Sequence, residues 1–208
     1  MGLLDVILGR TKPVPPDLDR LFGLPSAAVT LEVAAGFTPT GTGAVCFATV
    51  EGAAFEQTHR EVEELLDADA GRQGSPGAGG AGSAAGSPVE LVRDEYGYSW
   101  LVSRRSPEQL SELVTDLHAV NTSLESNGFG PQLLCSLVSF RAEDDRRLAL
   151  VYLYKRGTFY PFAPLPGPGR RRDNALELQM RAALADDLRM EQDLDRWFPV
   201  WGAPGMAD

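Results

Sequence analysis

Residues 106–128 read SPEQLSELVTDLHAVNTSLESNG, and residues 133–162 read LLCSLVSFRAEDDRRLALVYLYKRGTFYPF. The first stretch predicts a helix from Ser106 to about Asn127. Ser106 can cap it, Pro107 takes the first helical position, and Gln109 completes a Ser-x-x-Gln capping box. Asn127-Gly128 supplies the stop. Leu110, Leu113, Val114, Leu117 and Leu124 form one apolar stripe, whose burial contributes roughly 8 to 12 kcal/mol gross before chain entropy is subtracted. Such a stripe needs a sheet to cover it, and the second stretch supplies one. Strands are expected at Leu133 to Arg141, Arg147 to Lys155 and Thr158 to Phe162, the first two joined by the polar turn Glu143-Asp144-Asp145. Beyond them Asp173 is a good N-cap for a last helix to about Ala185, with Leu176, Met180 and Leu184 facing the core.

On the N-terminal side, Val89 to Asp94 and Tyr98 to Arg104 flank Glu95-Tyr96-Gly97 as a β-hairpin. The eighteen residues before it, GRQGSPGAGGAGSAAGSP at 71–88, contain no apolar side chain larger than alanine or proline. They have nothing to bury and read as a disordered insertion. Further back, Ala44 to Val50 reads as a strand. A helix follows from about Ala53 to Asp67, with Phe55, His59, Val62 and Leu66 on one face. The whole, 1–208, is expected to be a single α+β domain, an antiparallel sheet of about five or six strands with helices mainly on one face. The similar hexapeptides Asp17-Leu18-Asp19-Arg20-Leu21-Phe22 and Asp193-Leu194-Asp195-Arg196-Trp197-Phe198 read as single helical turns opened by aspartate.

Composition narrows the function classes. The 29 acidic residues outnumber the 19 basic ones for a net charge of −10, and the resulting field repels nucleic acid and anionic lipid. No run is apolar enough to span a bilayer, and the start lacks a secretory pattern. Cys46 and Cys135 sit apart in apolar surroundings, as buried free thiols do, although a disulfide stays open. These features together predict a cytoplasmic protein with reduced thiols.

Catalytic and metal chemistry find little to build on. The two histidines, His59 and His118, lack metal-ligand spacing with each other or with a cysteine. A Cys135-His118-Asp116 constellation is opposed by geometry, because two helical residues place Asp116 about 200° around from His118. The glycines of 77–82 lack the Gly-Lys-Ser/Thr ending of a phosphate loop. Neither a cofactor nor a metal site is expected. Asn121 falls in the middle of the apolar stripe, where it either satisfies a backbone group or faces a ligand. Arg170-Arg171-Arg172 reads as a solvated basic loop.

Aromatic side chains are the denser signal. Tyr152, Tyr154, Phe159, Tyr160 and Phe162 surround Lys155 and Arg156, and Trp197, Phe198 and Trp201 crowd the tail. Core packing accounts for many of them. Yet Tyr152 and Tyr154 share one face of their strand, and an exposed aromatic row is what anchors a protein interface. The candidate partner-binding set is therefore Tyr152, Tyr154, Lys155, Arg156, Phe159, Tyr160, Trp197 and Trp201.

Several segments resemble the PspA-associated protein PspAB family of actinobacteria. They are Met1-Gly2-Leu3-Leu4-Asp5 through Gly9-Arg10-Thr11-Lys12-Pro13, Leu24-Pro25-Ser26-Ala27-Ala28-Val29-Thr30-Leu31-Glu32, Asp94-Glu95-Tyr96-Gly97-Tyr98, Thr115-Asp116-Leu117-His118-Ala119-Val120-Asn121, and Tyr152 through Phe162. The resemblance spans nearly the whole chain outside 71–88. It implies a small protein of the phage-shock envelope-stress system, with PspA or another stress component as its protein partner, and it carries over no catalytic residue. Recruitment to the membrane through that partner stays open. The order hairpin, helix, strands, helix is similar to the topology of YbjN and secretion chaperones, a likeness of fold and not of function. The expectation is a non-enzymatic adaptor or chaperone-like binding protein. The alternative is an enzyme or small-molecule sensor with a pocket under the 106–127 helix, converging on Asn121, His118 and Tyr154.

Overall fold

The computed structural model describes residues 16–49, 52, 56, 57, 60–62, 64, 89–167 and 169–206. The segment 71–88 lies outside them, as do residues 1–15 and most of the expected helix from Ala53 to Asp67. The described positions of that helix, 56, 57, 60–62 and 64, are all helical, and Val62 is buried.

A short helical turn, Leu18–Gly23, leads into α1, Leu24–Ala35. Then come β1, Thr38–Ala48, the hairpin of β2, Val89–Arg93, and β3, Tyr98–Arg104, and the central helix α2, Leu110–Leu124. Strands β4, Leu133–Arg141, β5, Arg147–Leu153, and β6, Thr158–Phe162, precede α3, Asn174–Ala183. All six strands join one antiparallel sheet in the order β2-β3-β1-β4-β5-β6. The α+β class, the strand number and the placement of the later elements match the reading of the sequence.

Three elements differ from that reading. Helix α1 was not expected, although Pro25 at its start and Gly36, a left-handed cap at φ 71° whose N–H bonds Glu32 O, are its ordinary signals. Strand β1 starts six residues before Ala44 and stops before Val50. Its first half holds Pro39, Gly41 and Gly43, which weaken a strand pattern, and the register shift between Pro39 and Gly43 accommodates them. Helix α2 begins at Leu110, because residues 106–109 form a separate turn. Gln109 Oε1 there accepts from Ser106 N at 3.3 Å and Oγ at 3.2 Å, the returning half of the expected capping box. The helix ends at Leu124, and a wider turn, Glu125–Phe129, carries the chain to Gly128 at φ 86°.

The sheet is covered on both faces. One face, through Val45, Phe47, Leu101, Val138, Phe140, Leu150 and Tyr152, packs on Leu21, Leu31, Leu113, Leu117, Leu124 and Met180 of the helical layer. Gly43 permits the close approach of α2, since a Cβ there would lie 3.0 Å from Leu117 Cδ1 and 3.2 Å from Leu113 Cδ1. The opposite face presents Ala44, Cys46, Trp100, Val102, Cys135, Leu137, Val151, Tyr160 and Phe162. Among the described residues no helix covers these; the C-terminal segment with Trp197, Ala203 and Met206 packs on them instead.

Candidate functional site

The C-terminal segment is fixed where it crosses the sheet. Trp197 stacks on Tyr160 at 5.9 Å, its indole N–H donates to Glu191 O at 3.2 Å, and its carbonyl accepts from Arg172 Nη1 at 2.6 Å. Tyr160 Oη donates to Phe198 O at 2.7 Å, and Trp201 meets Phe162 edge-on at 4.9 Å. Arg172 is itself held by Glu177 at 2.9 Å, and Glu177 also accepts from Ala163 N. Arg172 is therefore a structural residue rather than part of a solvated run.

Between this tail and the β2–β3 turn the described residues leave the sheet face uncovered, and a cleft of about 550 Å³ opens there. Its floor is Cys46, Trp100, Leu134, Cys135, Leu153 and Tyr160. Its walls are Tyr96 and Tyr98 on the hairpin side and Phe198, Val200 and Trp201 on the tail side. The rim is aromatic and open to solvent, with Tyr96 46%, Tyr98 43% and Phe198 61% exposed.

Asp94 builds the hairpin wall. One carboxylate oxygen accepts from Tyr96 N and Tyr98 N, each at 2.9 Å, and the other from the Trp100 indole N–H at 2.9 Å. Turn and floor are thus tied by one side chain. Arg170 crosses the mouth from the β6–α3 loop, pairing with Glu95 and lying 5.2 Å over the Tyr96 ring. An apolar cavity with few polar groups is suited to holding apolar side chains.

Of the residues expected to bind a partner, Tyr160 and Trp201 line this cleft. The expected exposed row of Tyr152 and Tyr154 is instead in the core, at 0% and 3% exposure. The helical layer covers that row. Tyr152 Oη donates to Asp17 O at 2.8 Å, and its ring tilts against Phe159, also fully buried. Burial, followed by the charge of Asp17, pushes the Tyr152 phenol up to about 12. Tyr154 rises to about 12 through burial and then through Glu125. Trp197 is buried as the anchor of the tail. Lys155 and Arg156 are exposed but turned to structure, Lys155 Nζ on Pro131 O at 2.9 Å and Arg156 Nε on Glu191 at 2.9 Å. The strand face that reaches the cleft is the other row of β5, through Leu153. Cys46, Asp94, Tyr96, Tyr98 and Phe198 were missed, although Asp94 to Tyr98 form one of the segments of family resemblance.

The three residues expected to converge on a pocket under α2 have different neighbours. Asn121 Nδ2 donates to Leu117 O and Ser136 Oγ, both at 2.8 Å, in a fully buried contact. His118 points elsewhere, to Asp19 at 3.3 Å and the Phe22 ring at 5.0 Å, while Tyr154 lies against Gly130. The Cys135-His118-Asp116 constellation disperses too. Asp116 is held by Arg105 and Ser103, and Cys135 faces the cleft on the far side of the sheet.

Among the described residues no group of three or more His, Cys, Asp or Glu could hold a metal ion, and no helix is long and apolar enough to cross a membrane. Comparison with curated proteins and with solved structures finds no match, so the topological likeness to YbjN and secretion chaperones carries no argument. The family description "PspA associated protein B" matches residues 1–205, from the N-terminal segment through both walls of the cleft, and the chain belongs to that family.

Proposed function

We infer that this protein is a non-enzymatic adaptor whose partner, PspA, inserts apolar side chains into the cleft between the β2–β3 turn and the C-terminal segment. The observation that carries this reading is the cleft itself, a preformed apolar volume ringed by solvent-exposed Tyr96, Tyr98 and Phe198. Exposed aromatics around a pocket are the usual anchors of a protein interface, and they lose little entropy on docking because few torsions must be fixed. The family's name supports PspA as the partner. A volume of this size is also that of small-molecule sites, which keeps a ligand sensor as the second reading. The open rim favours the adaptor.

Calorimetric titration of PspA into the full chain tests the proposal. Phe198→Ala and Trp201→Ala are each expected to weaken binding by about 2 kcal/mol. Val29→Ala on the exposed face of α1 serves as the control and is expected to leave affinity unchanged. Unaltered affinity in both tail variants, with melting curves like the wild type, would refute the cleft as the docking site.

A further inference from the structure

Cys46 and Cys135 are partners in the β1–β4 register, both are free, and both line the cleft floor. Two isolated cysteines 89 positions apart in sequence thus become a facing pair. Directly opposed residues of an antiparallel ladder have Cα atoms roughly 4.5 to 5.5 Å apart. Disulfides span Cα separations of about 4.4 to 6.8 Å, so no rearrangement of the fold is needed to join them. The register shifts immediately beyond the pair, between Cys46 and Phe47, which gives β1 local slack to bring the sulfurs together. The pair lines the cleft together with Trp100, Tyr160 and Trp201.

We propose that Cys46 and Cys135 form a reversible cross-strand disulfide that reshapes the cleft floor, so that the redox state of this pair regulates what the cleft binds. The regulatory half of this proposal rests on the cleft being the binding site; the bond itself does not. The oxidant is a low-molecular-weight disulfide. Cys135, the more accessible at 8% against 4%, attacks one sulfur of the oxidant as its thiolate and expels the first small thiolate, which takes up a proton. Cys46 then attacks the Cys135 sulfur of the mixed disulfide and expels the second. Two protein thiols lose two electrons in all, and one small disulfide becomes two small thiols.

The surroundings make this exchange slow and its product durable. Hydrogen bonding to Cys135 and burial hold the Cys46 thiol well above the usual range. A thiol so disfavoured as thiolate attacks slowly, and it is a poor leaving group once bonded. A neutral disulfide also suits the apolar floor better than either thiolate. The pair is therefore a latch rather than a rapid sensor.

Oxidised glutathione applied to the folded full chain provides the test, with thiol titration and intact mass as first readouts. The expected result is joint loss of both thiols and of two hydrogen atoms of mass, no retained glutathione, and full reversal by a reductant. The second readout is the affinity of an apolar fluorescent dye for the cleft, expected to shift several-fold between the two states. Dye affinity in Trp201→Ala should fall in both. Folded protein that keeps both thiols, or carries glutathione on each, would overturn the disulfide. An internal disulfide that leaves dye affinity unchanged would overturn the switch. Failure of PspA to bind in either state would count against the adaptor reading alone, leaving these readouts to decide the latch.

Discussion

At the scale of single residues, stability rests on charges enclosed in places where each has one solution. Asp116, with its side chain only 2% exposed, accepts from Arg105 Nε and Nη2 at 2.8 Å each and from Ser103 Oγ at 2.6 Å. Arg105→Ala is expected to cost about 3 to 5 kcal/mol in chemical denaturation, because the carboxylate stays buried without its cation. An Arg105→Ala, Asp116→Leu double variant should recover part of that loss. No difference between single and double variants would contradict the assignment. Glu191 is a second such centre. Burial raises its pKa, but bonds from Arg156, Asp193 N and Thr158 outweigh this and leave it below its ordinary 4.5. Folded Glu191 therefore binds its proton less readily than the unfolded chain does. Its contribution is complete above about pH 4.5 and is lost as pH falls through the folded value. Melting curves from pH 7 to pH 3.5, roughly the acid range over which carboxylates titrate, should show a shallower acid decline in Glu191→Gln than in wild type. Parallel curves would remove Glu191 from the account. None of these pairings was legible beforehand. Asp116 and Arg105 lie eleven positions apart, and Arg156 and Glu191 thirty-five, distances at which sequence shows charge but not contact.

Elements were far more legible, because their signals are local. The stripe Leu113-Leu117-Leu124 is buried at 0% throughout, and Asp173 caps α3 by accepting from Leu176 N at 3.0 Å, each as patterning and capping chemistry require. Leu117→Ala should cost about 2 to 5 kcal/mol by opening a cavity against β1. Thr122→Ala, exposed on the same helix, should be nearly silent. Equal losses would mean that the buried face of α2 is misassigned. Gly43 makes the complementary prediction. Gly43→Ala should destabilise through contact with Leu113 and Leu117, read as a lowered Tm with unchanged secondary structure by circular dichroism. Legibility failed in β1, where glycine and proline obscured the strand. It failed again in β5, where alternation separated the two rows of side chains correctly but could not say which row met solvent. That choice is made by Leu18, Leu21 and the rest of the helical layer covering Tyr152, a contact between opposite ends of the chain.

Over the whole molecule, the arrangement is a sheet sealed by helices on one face and by a pinned tail on the other, with the cleft where the tail and the hairpin stop short of each other. Its lining comes from residues 46, 94–100, 134–135, 153, 160, 170 and 198–201, so no window of sequence contains the site. What sequence did offer was the aromatic density of the tail and the resemblance of Asp94 to Tyr98 to a family segment, two clues that only the fold brings together. The central claim is that this face, and not the helical one, meets PspA. Hydrogen–deuterium exchange of the full chain with and without PspA measures this directly. The account predicts slowed exchange at 94–98 and 198–201 on complex formation, with α1 and α2 unchanged. Protection confined to α1, around the exposed Val29 and Val33, with the hairpin and tail unaffected, would contradict it.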